Sequence, residues 1–164
     1  MNIMNFCALL GALVVVNGAH ASELDDLKSK YEDAQTSINA IYAEQQSDAL
    51  ASYGRALDAY KTHLKQTGQL QTYLRIEEEA ARLKREQKTP TESVDPNVDK
   101  MVAAYNKAVA EASDAEQKQM AGLATQYDAR LNVLIKTLMQ ADQIEEAKLV
   151  QLERNKAKFI LAVI

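Results

Sequence analysis

Tyr53–Glu79 reads YGRALDAYKTHLKQTGQLQTYLRIEEE, and Tyr127–Glu153 reads YDARLNVLIKTLMQADQIEEAKLVQLE. Aligned without a gap, the two stretches share Tyr53 with Tyr127, Leu57 with Leu131, Leu64 with Leu138, Gln66 with Gln140, Gln69 with Gln143 and Glu79 with Glu153. The same offset of about 74 residues continues outward. Asp25, Tyr31, Ala34, Gln45 and Lys84 return as Asp99, Tyr105, Ala108, Gln119 and Lys158. Both stretches are rich in Ala, Leu, Gln, Glu and Lys, which are good helix formers. Neither shows the apolar alternation of a strand. The reading is an all-α chain of two tandem hairpins, each a long helix followed by a short one. Together they form an elongated helical bundle or a coiled-coil-like assembly.

Working outward, the apolar positions of the long helices recur every eleven residues. Leu27, Ile38, Ala49 and Tyr60 make one row, and Tyr31, Tyr42, Tyr53 and Leu64 the next. The second copy carries Met101, Ala112, Leu123 and Leu134 in the first row, and Tyr105, Glu116, Tyr127 and Leu138 in the second. A period of roughly 3.67 residues per turn keeps the stripe nearly on one face, so each long helix is an almost straight rod. The weakest layers are 45–48 and 119–122, where a break would give shorter helices and a more compact bundle. Both prolines, Pro90 and Pro96, lie in the one clear linker, 89–96. It separates hairpin 22–88 from hairpin 97–164. Asp95-Pro96 opens the second rod, with proline at its first helical position. At the hairpin turns, Asp142 with Glu145 resembles a capping box, and Gly68 with Gln71 stands in its place in the first copy. The short helices then cover roughly 18 residues each, which leaves the N-terminal apolar halves of the rods to be buried elsewhere. Either the rods pack on each other or they pack on a second chain.

Residues 1–21 read as a signal peptide. A short apolar run from Phe6 to Val16 precedes Ala19-His20-Ala21, an A-x-A cleavage pattern. The run is too short to span a bilayer. The expected location is therefore exported, periplasmic or extracellular, with no stable membrane insertion after cleavage. The single cysteine, Cys7, leaves with the leader. That removes disulfides, thiolate metal sites and a cysteine nucleophile from the mature chain. Net charge is −4 with the signs interspersed. A nucleic-acid binder would carry a basic stripe instead.

Candidate chemistry is sparse. His63 has no second His or Cys after the leader, and reads as a surface histidine. The run Glu77-Glu78-Glu79 spreads around a helix and reads as a solvated face. Tyr31, Tyr42 and Tyr53 could form a sugar- or peptide-binding ladder, but tyrosine also fills helix seams with its hydroxyl at the wet edge. The tail Phe159–Ile164 is apolar and could be a docking peptide, a membrane-touching end or a last helical turn tucked against a rod. No phosphate loop, nucleophile elbow or metal spacing is visible. No catalytic, cofactor or metal residues are assigned. The candidate interaction face comprises Leu27, Tyr31, Ile38, Tyr42, Tyr53, Met101, Tyr105, Phe159 and Ile160.

Through Tyr53, Ala56, Leu57, Leu64, Gly68, Leu70 and Glu79, and again Tyr127, Leu131, Leu138, Asp142, Ile144 and Glu153, the chain resembles uncharacterised helical-hairpin repeats of secreted bacterial proteins. The resemblance implies a fold and no catalytic residues. A looser similarity is to periplasmic holdase chaperones, which are small, exported and built of long helical arms. The expected function is a non-enzymatic scaffold or protein-interaction protein, with a protein partner or self-association. The alternative is a holdase that shelters apolar client segments.

Overall fold

A computed structural model describes the backbone of residues 20–161 and the side chains of 23–157. Those residues form four α-helices and no strand: α1 His20–Gln66, α2 Leu70–Glu86, α3 Pro96–Gln140 and α4 Ile144–Leu161. The segment 1–21 that reads as a leader, apart from the backbone at its last two residues, and the side chains of Phe159 and Ile160 lie outside this description.

α1 and α3 are unbroken over 47 and 45 residues. At 1.5 Å per residue each is roughly 70 Å long. The weak layers at 45–48 and 119–122 are helical throughout. α3 starts as its sequence requires. Asp95 sits in extended backbone, and its carboxylate accepts the Asn97 N–H at 2.8 Å. Pro96 follows where a missing N–H costs nothing.

The hairpin turns differ from the expected capping boxes. Gly68 has φ 69° and Asp142 has φ 58°, both left-handed. Gln69 N–H donates to the Leu64 carbonyl at 3.0 Å, and Gln143 N–H to the Leu138 carbonyl at 2.9 Å. Gly68 N–H reaches Lys65 O, and Asp142 N–H reaches Met139 O. This paired pattern is a Schellman motif, so Gly68 and Asp142 close the long helices rather than cap the short ones. Gln69 occupies the N-cap of α2 and makes no side-chain cap bond. Glu145, freed from capping, pairs with Lys148 at 2.7 Å. A Cβ at Gly68 would meet nothing within 4 Å. Gly68→Ala is therefore expected to cost about 1 kcal/mol from the backbone alone, read by urea denaturation.

Two buried clusters hold the helices. One joins Tyr53, Leu57 and Leu64 of α1 with Ile76 and Leu83 of α2 and Val98 of α3. The other joins Tyr127, Leu131, Leu134 and Leu138 of α3 with Ala147, Val150 and Ala157 of α4 and Leu24 of α1. The start of α3 thus lies on the end of α1, and the start of α1 on the end of α3. The rods are antiparallel. α2 packs on α1, and α4 packs chiefly on α3. The N-terminal half of each rod packs against the other rod, with Leu24 and Val98 buried and Leu27, Tyr31, Met101 and Tyr105 partly so. Ile38 and Ala112, in the middle of the rods, are each 9% exposed.

Candidate functional site

Among the described residues, the buried charged side chain is Glu79, at 4% exposure. It corrects the reading of Glu77-Glu78-Glu79 as one solvated face: Glu77 and Glu78 are exposed, but Glu79 points inward. On α2 it shares a face with Ile76, Ala80 and Leu83, the i, i+3, i+4, i+7 pattern of a buried stripe. Tyr53 donates its hydroxyl to Glu79 Oε1 at 3.0 Å. Arg82 grips the same carboxylate with Nε at 2.7 Å and Nη2 at 2.8 Å. Arg82 also reaches Glu86 at 2.7 Å and the Lys88 carbonyl at 3.0 Å. A buried carboxylate is tolerated when it is paired and hydrogen-bonded in this way.

The same device stands at the other end, more loosely. Tyr127 donates to Glu153 Oε1 at 3.3 Å. Lys28 of α1 and Lys156 of α4 each stand 3.7 Å from Glu153 Oε2. Beside it, Arg154 forks onto Asp128 at 2.8 and 3.2 Å and onto Asn132 at 2.9 Å. These groups fasten short helices to rods. Tyr53→Phe is expected to cost about 1.5 kcal/mol, because it breaks a charge-assisted bond at a closed site. Tyr127→Phe, at a longer bond to a carboxylate 20% exposed, is expected to cost about half of that. Paired chemical denaturation curves check the difference.

Burial, followed by the hydrogen bond to Glu79, pushes the Tyr53 hydroxyl well above the ordinary tyrosine value of 10.0. Burial likewise leads at Tyr127, followed by the charge of Glu153. The folded chain therefore keeps these protons after the unfolded chain has lost them. The stabilisation is complete below the unfolded value of 10.0 and is lost as pH rises through the folded one. The melting temperature is expected to fall above about pH 10, and to fall less in the Tyr53→Phe, Tyr127→Phe double variant.

A groove of about 470 Å³ runs between the second half of α1 and the first half of α3. Its walls include Ala49, Tyr53, Ala56, Met101, Ala104, Tyr105 and Ala108, with Ser52, Asn97 and Lys100. Neither α2 nor α4 contributes. The equivalent place in the other half is lined by Leu27, Lys30, Tyr31, Leu123, Tyr127 and Arg130, and has shrunk to about 10 Å³. At the common offset, Leu123, Arg130 and Lys30 correspond to Ala49, Ala56 and Ala104. Three large side chains fill one site, and three alanines leave the other open. In the filled site the rings of Tyr31 and Tyr127 stack at 4.2 Å and 10°.

The candidate interaction residues are thus divided. Tyr53 is 3% exposed and belongs to the core. Leu27 and Tyr31 pack against the Tyr127 cluster. Ile38 is buried in the rod seam, and Tyr42 is half-buried with its hydroxyl accepting from Gln46 at 2.6 Å. Met101 and Tyr105 are brought together with Tyr53 on the groove wall. His63 is exposed. The alanines escape a reading that looks for what recurs, since their signal is a mismatch between the copies. Among the described residues no group of three or more His, Cys, Asp or Glu is placed to hold a metal ion. No helix among them is long and apolar enough to cross a membrane. No family model matches the chain, and neither does a curated protein or a solved structure.

Proposed function

We propose that this chain is an exported, non-enzymatic interaction protein: two tandem helical hairpins, made by duplication, assembled into an elongated bundle that presents a helical surface to a protein. The observation that carries this reading is the groove. It is walled by two long helices, opened by Ala49, Ala56, Ala104 and Ala108 beside Tyr53, Met101 and Tyr105, and open in one half where the other half is filled. A groove between helices accepts the apolar face of another helix. Buried Glu79 and half-buried Glu153 support a structural role, because tyrosine and basic side chains already engage them. The A-x-A pattern after the apolar run supports export.

One observation favours the holdase reading. Leu70, Met139, Leu149 and Leu152 are all more than half exposed. They are spread over three helices, whereas client shelter needs a continuous apolar surface. Two measurements separate the readings. A photo-crosslinking residue at Ala104, with one at Lys88 as control, is expected to give a discrete protein adduct in the producing cell only from position 104. No discrete adduct would sink the interaction reading. Suppression of aggregation of a heat-unfolded model protein at near-equimolar ratio would establish the holdase instead.

A further inference from the structure

Resting on that interaction reading, we infer that the groove receives the outer face of α4 from a second copy of this chain, in a head-to-tail contact. Two surface differences between the halves complement each other. The groove exists because Ala49, Ala56 and Ala104 replace Leu123, Arg130 and Lys30. On α4, Leu149 and Leu152 stand where α2 carries Arg75 and Glu78, and they are 59% and 58% exposed. One half has lost bulk, and the other has gained an apolar ridge.

The charges agree. In the filled half Asp26 pairs with Lys30 at 2.6 Å. In the open half Lys100 stands at the Asp26 position and Ala104 at the Lys30 position. No carboxylate among the described residues pairs with Lys100. An acid arriving with the occupant would complete the pair. Glu145 lies on the ridge at i, with Leu149 at i+4 and Leu152 at i+7, which share one helix face. Its side chain is 82% exposed and, among the described residues, is held by Lys148, itself 64% exposed. Such a surface pair exchanges partners at little cost.

A single helix in a groove buries less than a standard interface, so the contact is weak, with dissociation constants of roughly tens to hundreds of micromolar. In a head-to-tail contact each copy keeps one groove or one ridge free, so the contact propagates beyond the dimer. Sedimentation of the full chain is expected to show a mass that rises with concentration beyond two copies. Ala56→Arg fills the groove with the residue its counterpart already has, and Ala104→Lys does the same from α3. The Leu149→Arg, Leu152→Glu variant removes the ridge in the same way. Each is expected to remain folded by circular dichroism and to be monomeric. Mixing a groove variant with the ridge variant restores one intact contact, and is expected to give a one-to-one complex and nothing larger. A monomeric wild-type chain, a closed dimer, or a mixture without complex would overturn the inference. A crosslink from position 104 to a different protein would also overturn it, yet leave the interaction reading standing.

Discussion

Leu57→Ala and Leu131→Ala are each expected to lower stability by about 3 kcal/mol. Both side chains are 0% exposed. They occupy the same place in their copies, Leu57 among Tyr53, Leu64 and Ile76, and Leu131 among Tyr127, Leu138 and Val150. Truncation removes the transfer free energy of three heavy atoms and leaves a cavity that two stiff rods cannot collapse around. The two losses should be similar, and both should appear in one cooperative transition. α1 supplies Tyr53 and Leu57 to one cluster and Leu24 to the other, so loosening either core frees a rod that the other requires. Urea denaturation of both variants checks this, with Met139→Ala as a control. Met139 is 58% exposed, and its loss is expected to cost less than about 0.5 kcal/mol. Two separate transitions would show that the clusters fold independently.

Ala43→Pro is expected to cost at least about 3 kcal/mol. Ala43 is exposed, so no packing is lost directly. The cost is backbone: proline removes one helical hydrogen bond, and its ring collides with the carbonyl four residues earlier. The site lies between the part of α1 that meets Tyr127 and the part that meets Val98. A kink there misaligns one contact set relative to the other. Thermal melting and helical circular dichroism measure the loss. A cost under about 1 kcal/mol would mean that α1 behaves as two helices jointed near 45–48, the alternative that the polar layer Gln45-Gln46-Ser47-Asp48 raised.

Helical class, the Asp95-Pro96 start and the position of both turns could be read from the residues, because they depend on local chemistry. The role of Asp142 could not. Aspartate is favoured at an N-cap and also tolerates the left-handed region, and only the backbone at φ 58° decides between them. The partner of each apolar stripe was hidden for a different reason. Periodicity shows which face is buried, not what covers it. Glu79 was legible in part. It recurs as Glu153 and lies three residues after Ile76 on the apolar face of α2, but the run of three glutamates concealed that register. The groove required attention to positions where the copies disagree, Ala56 against Arg130 above all.

The antiparallel rods also set an order of assembly. The cluster around Tyr53 and Leu57 draws on nothing later in the chain than Val98, with Met101 and Val102 packed beside it. It can close while the rest of α3 is still being made. Leu24 emerges much earlier, yet its neighbours Tyr127, Leu131 and Val150 come more than a hundred residues later. Contacts over such separations form slowly, because a long loop must be closed before they are rewarded. The front of α1 is thus made long before its cover, and Leu24, Leu27 and Tyr31 stay open to other contacts until α3 is complete.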